Sequence, residues 1–87
     1  MNAEMTILFE QTVQKDRNNR VDIVLKEWIA GTLDKHADMV VTLKVWQEMS
    51  LEFGDPIKTT VVLDTTLRHE AIRQAIAMFD QARKDYL

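Results

Sequence analysis

Met39-Val40-Val41-Thr42-Leu43-Lys44-Val45-Trp46-Gln47 is the stretch that decides the fold. At period two, Met39, Val41, Leu43 and Val45 fall on one face, and Val40, Thr42, Lys44 and Trp46 on the other. Successive strand side chains point to opposite sides, so a sheet with one buried and one open face alternates in this way. The β-branched run Val40-Val41-Thr42 suits a pleated surface. A helix competes for the same residues: Met39, Leu43, Trp46, Met49 and Phe53 are spaced for one helical face, with Gly54 as a C-terminal cap.

The neighbouring segments favour the strand. Met5–Val13 places Met5, Ile7, Phe9 and Val13 on its odd positions, and Val21–Ile29 places Val21, Ile23, Leu25 and Ile29 there. In Ile57–Asp64 the odd apolar residues are Ile57, Val61 and Leu63, within a second β-branched run, Thr59-Thr60-Val61-Val62. Even positions are mixed, with Thr6, Glu10, Thr12, Asp22, Lys26, Lys58, Thr60 and Asp64 among them. Helical spacing also exists in Met5, Leu8, Phe9, Thr12 and Val13, and in Val21, Val24, Leu25, Trp28 and Ile29, so the alternative is a mostly α bundle. One phase shared by all four segments, Met39–Gln47 included, favours the sheet. Turns are expected at Lys15-Asp16-Arg17-Asn18-Asn19, from Gly31 to Asp38, and at Gly54-Asp55-Pro56.

The C-terminal segment from Leu67 to Leu87 reads as a helix. Ile72, Ala75, Ile76, Phe79, Ala82 and Tyr86 recur on one face, while Arg68, Arg73, Gln74, Asp80, Gln81, Lys84 and Asp85 fill the rest. Asp64, Thr65 and Thr66 offer N-cap side chains, Arg83 and Lys84 suit the last turn, and Asp80 and Lys84 form an i,i+4 pair. The expected architecture is α+β: one domain over residues 1–87, a four-stranded antiparallel meander with the helix across its odd face. Eighty-seven residues bury only about 60–65% of the unfolded surface, so the core is thin, and a homodimer is one way to enlarge it.

An odd face covered by the helix leaves the even face uncovered. Leu25-Lys26-Glu27-Trp28 and Leu43-Lys44-Val45-Trp46 repeat one pattern in which Lys and Trp share that open face. The candidate partner-binding residues are therefore Lys26, Trp28, Lys44 and Trp46, with Val24 and Thr42 between them. Tryptophan is enriched at interface hot spots, and an uncovered apolar patch marks an interaction site. The competing structural explanation is a strand-end indole folded over the sheet edge, with lysine stems packed along it.

Aromatic side chains with lysines on a sheet also suit single-stranded nucleic acid, through base stacking and backbone contacts. From the third strand onward the chain has an alternating strand ending in Lys44-Val45-Trp46, a turn, Val61-Val62-Leu63-Asp64 and a helix. That order resembles the positive-cofactor-type single-stranded DNA-binding proteins, and the resemblance implies pairing through the helices. The sequence departs from that pattern in lacking a strongly basic sheet and in placing Glu10, Asp22, Glu48 and Asp64 on the open face.

Composition narrows the chemistry. Fourteen acids against 11 bases give a net charge of −3, unlike a protein whose main task is to neutralise phosphates. The absence of cysteine excludes disulfides and thiolate metal sites, and His36 and His69 stand apart, so neither metal nor cofactor is expected. Ser50 is the sole serine, Glu48 and Glu52 read as a solvated pair, and Arg68-His69-Glu70 reads as the exposed start of the helix. With no nucleophile–base set and no Gly-rich loop, enzyme activity is not expected.

The N-terminus lacks a signal-peptide pattern and no segment is long and apolar enough to span a bilayer, which points to the cytoplasm. Lys15, Arg17 and Arg20 form a secondary candidate contact at a hairpin tip. The expectation is a small non-enzymatic inhibitor, adaptor or regulatory protein, of the kind mobile elements encode against host machinery, binding a protein through the Lys/Trp face. A single-stranded nucleic-acid binder and a plain homodimer contact are the alternatives.

Overall fold

The structure is a computed structural model that describes residues 4–30, 36–47 and 54–87. Among the described residues four strands, β1 (Glu4–Gln14), β2 (Arg20–Ala30), β3 (His36–Trp46) and β4 (Ile57–Val62), precede one helix, α1 (Arg68–Tyr86). The strands form a single antiparallel sheet in chain order, β1-β2-β3-β4, so the meander is as expected and the helical bundle is not. Among the described residues no helix is long and apolar enough to cross a membrane.

The first connection is built by Asp16, whose carboxylate accepts from the Asn18 backbone N–H at 2.8 Å and from the Asn19 amide at 2.9 Å. Lys15 N–H donates to the Asn19 carbonyl at 2.9 Å and closes the hairpin. Gly54, in the left-handed region at φ 77°, belongs to the turn that leads into β4. The expected turn from Gly31 falls largely outside the described residues, as do Met49, Phe53, Ser50, Glu48 and Glu52.

α1 lies on one face of the sheet, chiefly over β2. Val21, Ile23 and Leu25 from β2, and Met39, Val41 and Val45 from β3, are buried against Ala71, Ala75, Phe79 and Ala82 of the helix. Odd residues of β2 and β3 therefore make the core, as their alternation predicts. Three alanines at contact positions let the helix backbone approach the strands closely, and Phe79 fills the space between. The buried helical face is turned from the expected one: Ala71 belongs to it, while Ile76 and Tyr86 are exposed. The start differs as well. Leu67 is the N-cap with no side-chain cap, and Thr65 instead accepts the Leu67 N–H at 3.1 Å.

β1 departs from the expected phase. Its pairing with β2 shifts between Ile7 and Phe9, so Leu8 is the extra residue of a β-bulge. Below the bulge, Phe9 and Val13 pair with Leu25 and Val21 and pack on the core; above it, Met5 and Ile7 pair with Trp28 and Lys26. Met5 and Ile7 are thus moved from the helix side to the open face, and Leu8 takes a place against the core instead. Two adjacent large apolar residues, Leu8-Phe9, require this, because strict alternation would expose one of them.

One acid sits in the core layer. Glu27, only 4% exposed, occupies an odd position of β2 beneath the start of α1. Arg68 donates to both of its oxygens, at 2.7 and 3.0 Å, and ties the first turn of the helix to the sheet. Arg68 is exposed at the first turn as expected, and nothing in the sequence signals that its guanidinium is committed to Glu27.

Candidate functional site

The face opposite α1 is the uncovered surface, and cross-strand register orders it into rows. Met5, Trp28 and Asp38 form the first row; Ile7, Lys26, Val40 and Val62 form the second. Glu10, Val24, Thr42 and Thr60 follow, then Thr12, Asp22, Lys44 and Lys58, and finally Gln14, Arg20 and Trp46. All six expected residues, Val24, Lys26, Trp28, Thr42, Lys44 and Trp46, do lie on this face. They do not form one cluster.

The two indoles mark opposite corners. Trp28 pairs with Asp38, and Trp46 lies eight residues further along β3. At 3.4 Å per residue that is roughly 27 Å along the strand. Antiparallel pairing is the cause, since it turns two copies of one motif end to end. Trp46 is also covered: the Arg20 guanidinium lies 4.8 Å from its ring centroid and donates to both Asp22 oxygens at 2.8 Å. This stack of indole, guanidinium and carboxylate completes its own interactions, and the hydrogen bond to Asp22 keeps the Arg20 guanidinium more firmly protonated than usual.

Trp28 has a different setting. Met5, Ile7, Trp28 and Val62 are 43, 49, 39 and 63% exposed and, with half-buried Val40 between them, make an apolar corner. Lys26 rises within it, paired across the strands with Ile7 and Val40. Val40 lies on this face as its even position predicts, whereas Met5, Ile7 and Val62 are not among the expected contacts. The signal for Met5 and Ile7 is the Leu8-Phe9 doublet; the even position of Val62 puts it on the open face, and the cross-strand register sets it beside Val40.

The middle of the face is polar. A shallow depression of about 160 Å³ is lined by Asp22, Val24, Lys26, Thr42, Lys44 and Lys58. The secondary trio is dispersed: Arg20 belongs to the Trp46 stack, Arg17 stays in the hairpin turn, and Lys15 turns toward the end of α1. There the Lys15 ammonium donates to the Leu87 carbonyl at 2.9 Å, and a larger cavity of about 600 Å³ brings it beside Val13, Asp80, Arg83, Lys84 and Leu87.

Among the described residues no group of three or more His, Cys, Asp or Glu could hold a metal ion. The chain matches no protein family model, no curated protein and no solved structure.

Proposed function

We propose that the chain is a non-enzymatic binding protein, an inhibitor, adaptor or regulatory subunit, that engages a protein partner through its open sheet face. The apolar corner carries this proposal. Met5, Ile7, Trp28, Val40 and Val62 come from all four strands and leave large side chains in water on a domain with little core to spare. The bulge that lets Leu8 and Phe9 both pack on the core leaves Met5 and Ile7 exposed at that end of the strand. Aliphatic side chains around one indole suit a protein contact, whose centre is apolar and aromatic with a polar rim.

The separation of the tryptophans favours protein over single-stranded nucleic acid. A stacking platform needs aromatic rings within reach of successive bases, whereas here they are a sheet-length apart and one is occupied by Arg20. Tagged wild-type protein and an Ile7→Glu/Trp28→Ala variant, used to capture partners from the native host, test the proposal. A partner retained by wild type and by Trp46→Ala but lost by the corner variant supports it. Equal retention by a folded corner variant refutes it. Loss of a wild-type dimer in the corner variant, with no other partner, would instead make the corner a contact between copies.

A further inference from the structure

Lys44 on β3 and Lys58 on β4 are direct cross-strand partners on the open face. Like charges directly opposite each other destabilise a strand pair. Asp22, next in the row on β2, is the acid placed to relieve Lys44, but both its oxygens already accept from Arg20. A third lysine, Lys26, lines the same depression two rows away, with Val24 and Thr42 in the row between. Among the described residues the ion pairs are Arg20–Asp22, Arg68–Glu27 and Arg73–Glu70, so none engages these three lysines. Concentrating them at one point runs against the acidic balance of the whole chain.

We infer that this depression is a binding site for a doubly charged oxyanion, a phosphate group. About 160 Å³ is the space of roughly five waters at ~30 Å³ each, room for one phosphate group and well short of the ~300 Å³ at which pockets for larger ligands begin. Phosphate carries a charge of about −2 and several acceptor oxygens, which match two or three ammonium donors and a hydroxyl. A single carboxylate offers half the charge. A nucleic-acid backbone would call for a basic track, whereas Glu10 and Asp38 stand on the rows toward the apolar corner. The lysine pair then makes sense: its repulsion in the free protein is relieved when the anion binds. The site adjoins the apolar corner and shares Lys26 with it, but Lys44 and Lys58 lie two rows outside the corner.

Inorganic phosphate, titrated at constant ionic strength against isotope-labelled protein with chloride as the control, tests it through amide chemical shifts. Saturable shifts at Val24, Lys26, Thr42, Lys44 and Lys58, with none at Lys15, Arg83 and Lys84, are expected. Lys44→Gln and Lys58→Thr should each weaken binding roughly twofold to fivefold, the range for exposed ion pairs, and the double variant should lose saturation. Lys58→Thr alone should also melt at a higher temperature than wild type in low salt, a readout independent of the ligand. Comparison with O-phosphoserine identifies the source: tighter binding of the ester points to a phosphorylated partner, tighter binding of inorganic phosphate to the free ion, and either supports a dianion site. Shifts that do not saturate, shifts equal at the helix-end cluster, or acetate binding as tightly as phosphate would overturn it. Partner capture by the apolar corner would be unaffected by such a failure, because the Ile7 and Trp28 substitutions test it separately.

Discussion

Replacing Arg68 with Ala should be among the most damaging single changes outside the apolar core. It removes two hydrogen bonds of 2.7 and 3.0 Å and leaves the Glu27 carboxylate, 4% exposed, without its counter-charge. Breaking a fully buried ion pair costs about 3–5 kcal/mol. The Arg68 side chain is 61% exposed, so solvent screens the pair and water can reach the orphaned carboxylate. About 2 kcal/mol is therefore the expected loss, below the fully buried range and above the ~0–1 kcal/mol of a surface pair. In a domain of this size each kcal/mol moves the midpoint by about 4–8 °C, which predicts a fall of roughly 8–16 °C. Glu27→Met should cost less than about 1 kcal/mol, because an apolar isostere leaves no buried charge behind. Urea denaturation of wild type, both single variants and the double variant closes the cycle. The double variant should be more stable than Arg68→Ala alone. If Arg68→Ala lies within about 0.5 kcal/mol of wild type, the range for inconsequential surface changes, the tether between α1 and β2 is not structural.

Other outcomes follow from the same packing. Ala75→Leu should destabilise by about 1–3 kcal/mol, since a larger side chain between α1 and the sheet forces the helix away; Ala77→Leu, on the exposed side of the helix, should be close to neutral. Stability should also fall in acid. The Asn18 backbone N–H, followed by the Asn19 amide, holds the Asp16 carboxyl below its usual range, and Arg73, followed by Gln74, does the same for Glu70. A carboxylate with a depressed folded value contributes stability above its unfolded pKa of about 4 and loses it as pH falls through the folded value. Melting curves from pH 6 down to pH 2.5, taken on the order of that range, should therefore be flatter below about pH 4 for an Asp16→Asn/Glu70→Gln variant than for wild type.

Much of the fold was legible because the two inner strands, β2 and β3, obey simple alternation, whereas Ile57 of β4, an odd position, is 51% exposed. Val21, Ile23, Leu25, Met39, Val41 and Val45 are buried as their odd positions require. The N-terminal end of β1 departs from its alternation because a bulge preserves the pattern on one side and inverts it on the other. Leu8-Phe9 was the visible trace of that inversion, and its consequence, Met5 and Ile7 beside Trp28, is a matter of pairing. The helix was identified but its face was turned, since alanines can be buried as readily as isoleucines when backbones approach closely. The role of Glu27 is not legible in the sequence because a lone acid at a core position needs a distant partner, and Arg68 lies 41 residues away. Which residues of β2 and β3 share the open face was legible from alternation, whereas the division of that face into an apolar corner, a lysine-lined depression and a closed Arg20–Trp46 stack depends on register.

The apolar corner is the proposed contact with a partner. Photo-crosslinking side chains placed at Ile7 on the open face and at Ile76 on the exposed flank of α1 test this most directly, in the native host and with equal expression. A discrete crosslinked protein from Ile7, competed by unmodified wild type and absent from Ile76, is the predicted result. Crosslinks from Ile76 alone, or from both positions alike, would contradict it.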